Sequence, residues 1–192
     1  MKGLSENNLP SRVLLHACCA PCSAAILEWL NIHHVDTVLF FYNPNIYPNE
    51  EYLIRKNELI KYALQLNIPF IEGDQNHSKW REAVKGLENE PERGNRCQVC
   101  FTYRLTATAL CARELGISHY TTTLAGSRWK RQDQIEFAAQ QVFELVPHVQ
   151  YWNQNWRKGG LQERRSILLK ENGFYNQQYC GCEFSMRHLT QA

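Results

Sequence analysis

Eight cysteines stand among the 192 residues, and seven of them are grouped. Cys18, Cys19 and Cys22 lie in the stretch HACCAPCS, Cys97 and Cys100 are three positions apart, and Cys180 and Cys182 flank a single glycine. Four kinds of sulfur chemistry suit such spacing: disulfide stapling, dithiol exchange, zinc binding and iron–sulfur binding. The isolated Cys111 falls in an apolar helical pattern and reads as packing. The polar first ten residues carry no signal-like apolar region, and the chain has enough residues to build a core. The expectation is therefore a loose N-terminal tail over 1–10 on a cytoplasmic protein, where a high cysteine count means metal or redox work.

Cys19-Ala-Pro-Cys22 taken alone fits a thioredoxin-like thiol placed between a strand and a helix. Two features weigh against it: Cys18 adjoins the pair, and a second pair, Cys97-Gln-Val-Cys100, follows far downstream. Thiolate pairs joined across a fold are what a four-ligand site needs, and zinc suits four thiolates as well as iron does. Cys97 and Cys100 read as the opening of a helix after the Gly94-Asn95 turn, both on one face, where free N–H groups favour thiolates. Cys180-Gly181-Cys182 closes only a tight ring that glycine tolerates, and strained disulfides are easily reduced. Further metal ligands or idle thiols are the other readings of that pair.

The elements that must position these groups alternate. Strand-like runs fall at Val13–Ala17, Thr37–Tyr42, Ile68–Ile71 and His119–Leu124, with a further short run at Leu145–Val149. Helical periodicity covers Ser23–Ile32, Asn49–Leu66 (apolar stripe Leu53, Leu59, Ile60, Ala63, Leu64), Trp80–Leu87, Cys97–Leu115, Gln132–Val142 and Gln162–Glu171, with a charged loop over Glu88–Arg96. This alternation predicts a three-layer α/β/α domain with a parallel sheet, Rossmann-like, over 1–192, in which 127–192 is an elaboration. Ligands in such sheets bind beyond the carboxyl ends of the strands. The loops expected there are the first cysteine cluster, Asn43-Pro44-Asn45, Gly73-Asp74 and Gly126-Ser127.

The formal net charge is +2, with 10 basic and 12 acidic residues up to Arg96 and 11 basic and 7 acidic after it. The positive second half points to a polyanionic partner. Arg128, Trp129, Lys130 and Arg131 form its densest cluster, followed by Trp152, Trp156, Arg157, Lys158, Arg164 and Arg165. Basic residues interleaved with tryptophan suit phosphate contact and base stacking, although Arg164 and Arg165 equally suit a solvated helix face. His16 reads as a core histidine rather than a catalytic acid. No run approaches the roughly 20 apolar residues of a membrane span.

The motifs LLHACCAPCS, FYNPNIYPNEEYLIR, EPERGNRCQVCFTYRL, TTTL and YCGCEFS, in this order, resemble the epoxyqueuosine reductases of the QueH family from about residue 12 to 186. The resemblance implies an oxidoreductase that acts without cobalamin on tRNA carrying epoxyqueuosine at the wobble position, reducing the epoxide in the last step of queuosine synthesis. It implies a [4Fe–4S] cluster on Cys18, Cys19, Cys97 and Cys100, and a redox-active disulfide between Cys180 and Cys182. It also implies a second, mononuclear iron, for which Cys22 and Asp74 are the candidates on the predicted rim. The implied fold is similar to the nucleotide-binding α/β domains of tRNA-modifying ATP pyrophosphatases, with the cysteine cluster in place of their phosphate loop.

Arg128, Trp129, Lys130 and Arg131, with Asn43 and Asn45, are the expected tRNA- or substrate-binding residues. Ser127-Arg-Trp-Lys130 departs from the Ser-Pro-x-Lys expected there. An external electron donor, not identified by the sequence, is required. The rival readings are a zinc-stabilised RNA-binding module, which has no use for Cys180-Gly-Cys182, and a thioredoxin-like dithiol oxidoreductase acting through Cys19 and Cys22. The cobalamin-dependent type of reductase is set aside, because the C-x2-C-x2-C runs of a ferredoxin segment are missing.

Overall fold

The computed structural model describes residues 9–188, with side chains to 186. Most of the tail expected over 1–10 therefore lies outside the described residues. Five parallel strands form one sheet in the order β3-β2-β1-β4-β5: β1 (Arg12–Ala17), β2 (Asp36–Phe41), β3 (Phe70–Glu72), β4 (His119–Thr122) and β5 (Gln150–Tyr151). Helices α1 (Ala20–Ile32), α2 (Asn49–Gln65) and α6 (Leu161–Glu171) pack together, as do α3 (His77–Ala83), α4 (Asn95–Glu114) and α5 (Gln132–Leu145). The two sets cover the sheet, giving the expected three-layer α/β architecture. Among the described residues no helix is long and apolar enough to cross a membrane.

The central strands are buried along all but their first residue, which is why Val13-Leu14-Leu15 and Val38-Leu39-Phe40-Phe41 are unbroken apolar runs. His16 interrupts β1 without breaking it. Its Nε2 lies 3.1 Å from the Tyr42 carbonyl and its Nδ1 2.8 Å from Thr122 Oγ1. A carbonyl only accepts, so Nε2 carries the proton and Nδ1 accepts from the threonine hydroxyl. Burial, with the Arg104 guanidinium second, pushes its pKa down to about 3, so it is a neutral clamp between the ends of β1, β2 and β4.

Two expectations need correcting. The apolar stripe assigned to α2 included Leu53 and Leu64, which are exposed, while Glu51 and Arg55 are buried. That face receives the C-terminal segment as well as the sheet, so it carries polar partners. The short run at Leu145–Val149 is split: Leu145 closes α5, Val146 and Val149 are buried in the connection, and the strand begins at Gln150.

Strand order reverses between β1 and β4. In doubly wound sheets that switch point opens a crevice at the carboxyl ends of the strands. The chain after β1 is Cys18-Cys19, and the chain after β4 leads through a short 3-10 turn, Thr123–Gly126, to Ser127–Lys130.

Candidate metal and redox site

Cys19 is the N-cap of α1, and Pro21 sits in the first turn, where a missing N–H costs no hydrogen bond. One helical turn then brings Cys22 back over Cys19. The sulfurs of Cys18, Cys19 and Cys22 all lie within 4.8 Å of one another, close enough to share a metal ion. Cys18 Sγ is 3.8 Å from Cys19 Sγ and 3.7 Å from Thr123 Oγ1, and the Cys19 thiol donates to Gln177 Oε1 at 3.3 Å. Hydrogen bonding with Cys19 and Cys22 holds the Cys18 thiol well below its usual range. Burial, with the hydrogen bond to Cys18, drives Cys19 up, and the hydrogen bond to Cys18 raises Cys22 to about 12. The three thiols form a donor set that a thiophilic metal would deprotonate on binding.

Cys97 and Cys100 lie in the first turns of α4, which starts two residues earlier than expected, at Asn95. The Arg93 N–H donates to Cys97 Sγ at 3.3 Å. Burial raises the Cys97 thiol, with that N–H and the Lys130 ammonium opposing it. The pair stands outside the 4.8 Å sulfur trio. Cys100 instead packs with Cys182, Trp80, Val84 and Phe184, and Cys180 lies against that cluster. Cys180 Sγ is 3.1 Å from Ser185 Oγ. Its thiol is held well below the usual range by the hydrogen bond from Cys182, with Lys130 and Ser185 adding to this, whereas Cys182 is pushed up by the same bond.

A cavity of about 920 Å³ joins the sulfur trio to Cys180, while Cys97, Cys100 and Cys182 are not among its lining residues. Cys18, Cys19, Cys22 and Cys180 line it together with Arg55, Arg104, Lys130, Arg128 and Arg165, and Glu92 is its one acidic lining residue among those described. Arg55 and Arg104 are 2% and 3% exposed, so their charges are committed to the interior. Burial works against the Lys130 ammonium, but Cys180 and Cys97 outweigh it and hold its pKa up. Burial likewise opposes the Arg55 charge, which Cys19, Cys18 and Glu51 more than restore. Arg104 Nε has no hydrogen-bond partner among the described residues. Buried cations facing thiols fit a thiolate–metal centre, whose ligands carry negative charge.

The remaining expected residues spread out. Trp129 stands 62% exposed at the rim, with the Arg128 guanidinium 4.9 Å from its ring centre. Arg131 pairs with Asp133 on the surface. Asn43 is buried, donating to the Ala17 carbonyl at 2.9 Å and accepting from Arg104, so it ties the β1 and β2 ends to α4. Asn45 is buried beside it in the turn, with Oδ1 unpartnered among the described residues. Asp74 is exposed on the β3 loop, 3.8 Å from Lys79 Nζ, and lies outside the sulfur trio. Arg164 forms a two-pronged pair with Glu28, at 2.7 and 2.9 Å, while Arg165 faces the cavity.

Sequence reading missed Arg55, Arg104, Thr123 and Gln177. Arg104 had a signal: it lies four and seven residues after Cys100 and Cys97, hence on their face of α4. Gln177 had none, since it reaches Cys19 from an irregular segment 158 residues away.

A family model described as Epoxyqueuosine reductase QueH matches residues 13–188. Three relatives bear the same description. One from Acinetobacter baylyi is 46% identical over 94% of this chain and 83% of its own. Another, from Haemophilus influenzae, is 43% identical over 92% and 72%, and a third, from Thermotoga maritima, is 37% identical over 91% and 90%.

Proposed function

The chain belongs to the epoxyqueuosine reductase QueH family, and from that premise we propose that its grouped cysteines are the metal and redox groups of an epoxyqueuosine reductase. The observation that carries the reading is the cavity, where Cys18, Cys19, Cys22 and Cys180 face buried cations. The reaction converts the epoxide of epoxyqueuosine in tRNA, with two electrons and two protons, to the alkene of queuosine and water. Cys18, Cys19, Cys97 and Cys100 are the proposed ligands of a [4Fe–4S] cluster, and Cys22 and Asp74 those of a second iron. The placement of Cys22 within the sulfur trio supports a metal role for it, whereas Asp74 would have to turn inward from solvent. Bound there, the group would supply single electrons and, at an open iron position, polarise the epoxide oxygen.

The chain's own residues do the rest. Arg55, Arg104 and Lys130 balance thiolate charge around the cavity, and Lys130 keeps its proton in that setting. Cys180 and Cys182, as a two-electron couple, relay or buffer reducing equivalents from an external donor. A wobble base splayed from its loop enters a cavity rimmed by Arg128 and Trp129, which suit phosphate contact and stacking. Residues 127–192 act as an elaboration of one α/β domain, and tRNA modification places the protein in the cytoplasm.

The deciding experiment is anaerobic reconstitution with iron and sulfide, followed by dithionite and tRNA containing epoxyqueuosine, with nucleosides read by mass spectrometry. Queuosine is the expected product, and no conversion by protein with an intact cluster spectrum overturns the reading. Trp129→Ala is expected to weaken tRNA binding roughly tenfold, within the ~1–3 kcal/mol of one stacked base. Filter binding checks this, and the visible spectrum of the reconstituted protein is expected to stay unchanged.

A further inference from the structure

Helix α2 turns a row of charged residues toward the segment that leads into Cys180. Glu58 Oε1 accepts from the Tyr175 N–H at 2.7 Å, and Glu51 Oε2 from the Tyr175 hydroxyl at 2.8 Å. Arg55 donates from Nη2 to the Tyr179 carbonyl at 3.1 Å and from Nη1 to the Cys180 carbonyl at 3.3 Å. Its Nε donates to Glu51 Oε1 at 2.7 Å, and its Cζ lies 5.4 Å from the Tyr179 ring centre. From the other side, the Tyr47 N–H donates to the Gly181 carbonyl at 2.9 Å, and Ile46 forms a bridge with Cys182.

A guanidinium this deeply buried needs every donor matched, and its planar fork suits two adjacent carbonyls in a way a lysine ammonium does not. We propose that Arg55 is a positioning residue of the reductase: its fork clamps the Tyr179 and Cys180 carbonyls and so holds the Cys180 sulfur, which lines the cavity, beside that of the buried Cys182. The inference rests on the reading of those two cysteines as a redox pair. Their disulfide accepts two electrons and two protons to give two thiols; dithiothreitol supplies both and is oxidised to its cyclic disulfide. A clamped loop keeps the sulfurs at high effective concentration and favours the disulfide. Without the clamp the dithiol gains conformational freedom, and the pair is reduced more readily.

The test uses the full-length reconstituted protein, equilibrated with reduced and oxidised dithiothreitol. Samples are acid-quenched and alkylated, and the peptide carrying Cys180 and Cys182 is read by mass spectrometry. Arg55→Lys keeps the charge and loses the fork; the equilibrium constant is expected to move about tenfold toward the dithiol, about 30 mV for two electrons. Arg55→Gln is expected to move it at least as far, and should that variant not fold, Arg55→Lys decides. A wild-type constant in folded Arg55→Lys overturns the proposal, because a merely structural arginine would change melting and leave the couple alone. Hydrogen exchange gives a second readout. Amides of 175–181 are expected to exchange faster in Arg55→Lys with β1 and β2 unchanged, and unaltered protection overturns the clamp. A wild type that forms no reversible Cys180–Cys182 disulfide refutes the redox-pair reading, and exchange then decides the clamp alone.

Discussion

Cys97→Ala is expected to abolish epoxyqueuosine reduction, by a factor of 10³ or more, and to remove most of the iron retained after reconstitution. Cys97 sits in the first turn of α4, partly buried, with its sulfur bonded to the Arg93 N–H. Losing that small side chain costs about 1 kcal/mol of stability, so the variant should fold. Loss of one thiolate from a four-ligand site removes the group itself, which is why the effect on activity is so much larger than the effect on folding. The dithiol rival working through Cys19 and Cys22 requires the opposite. Iron analysis, visible absorption and nucleoside mass spectrometry on one preparation decide the matter: a colourless, zinc-only wild type or a fully active Cys97→Ala would refute the cluster assignment.

Gly181→Ala is the second large effect, and it acts through the backbone. Gly181 has φ +99°, a conformation that L side chains rarely adopt. A Cβ there would also fall 2.8 Å from Ile46 Cγ1 and 3.1 Å from Arg55 Nη1. Backbone strain of about 1–3 kcal/mol and overpacking of about 1–3 kcal/mol together predict a loss of roughly 2–6 kcal/mol. For a chain of this size, at about 2–4 °C per kcal/mol, that lowers the melting temperature by roughly 4–24 °C. The loop would relieve the clash by moving, and an ångström of displacement at the sulfurs is expected to cost about 10²-fold in turnover. Gly116→Ala is the control. Its φ is +65°, but nothing lies within 4 Å of an added Cβ, so only the backbone penalty of about 1 kcal/mol remains. Thermal denaturation and the nucleoside assay read both effects, and equal losses in the two variants would contradict the contact argument.

What the sequence made legible was the part of the site governed by local rules. Strand–loop–helix alternation placed HACCAPCS at the carboxyl end of a central strand, and the sheet order puts it at the switch point. Helical spacing put Cys97 and Cys100 one turn apart, and its place in a strand marked His16 as core, as its hydrogen bonds bear out. Long-range polar contacts were not legible. Asn43 looked like a rim residue because Asn-Pro-Asn marks a turn, and nothing local says that Arg104, 61 residues on, takes up its carbonyl. The same holds for α2: a hydrophobic stripe was sought where the structure buries Glu51 and Arg55, because their partners at Tyr175, Tyr179 and Cys180 come from a segment without periodicity. Cys22 belonged to the first cluster by sequence, but only the structure brings its sulfur within 4.8 Å of those of Cys18 and Cys19.

The two edges of the sheet are its short strands: β3 has three residues and β5 two, against six in β1 and β2. An edge that brief offers an incoming chain little unpaired backbone to register against, and β3 ends on Glu72, already paired with Lys56. The long apolar strands β1 and β2 are kept inside, so edge-to-edge polymerisation is discouraged even though the sequence contains runs as aggregation-prone as Thr-Val-Leu-Phe-Phe.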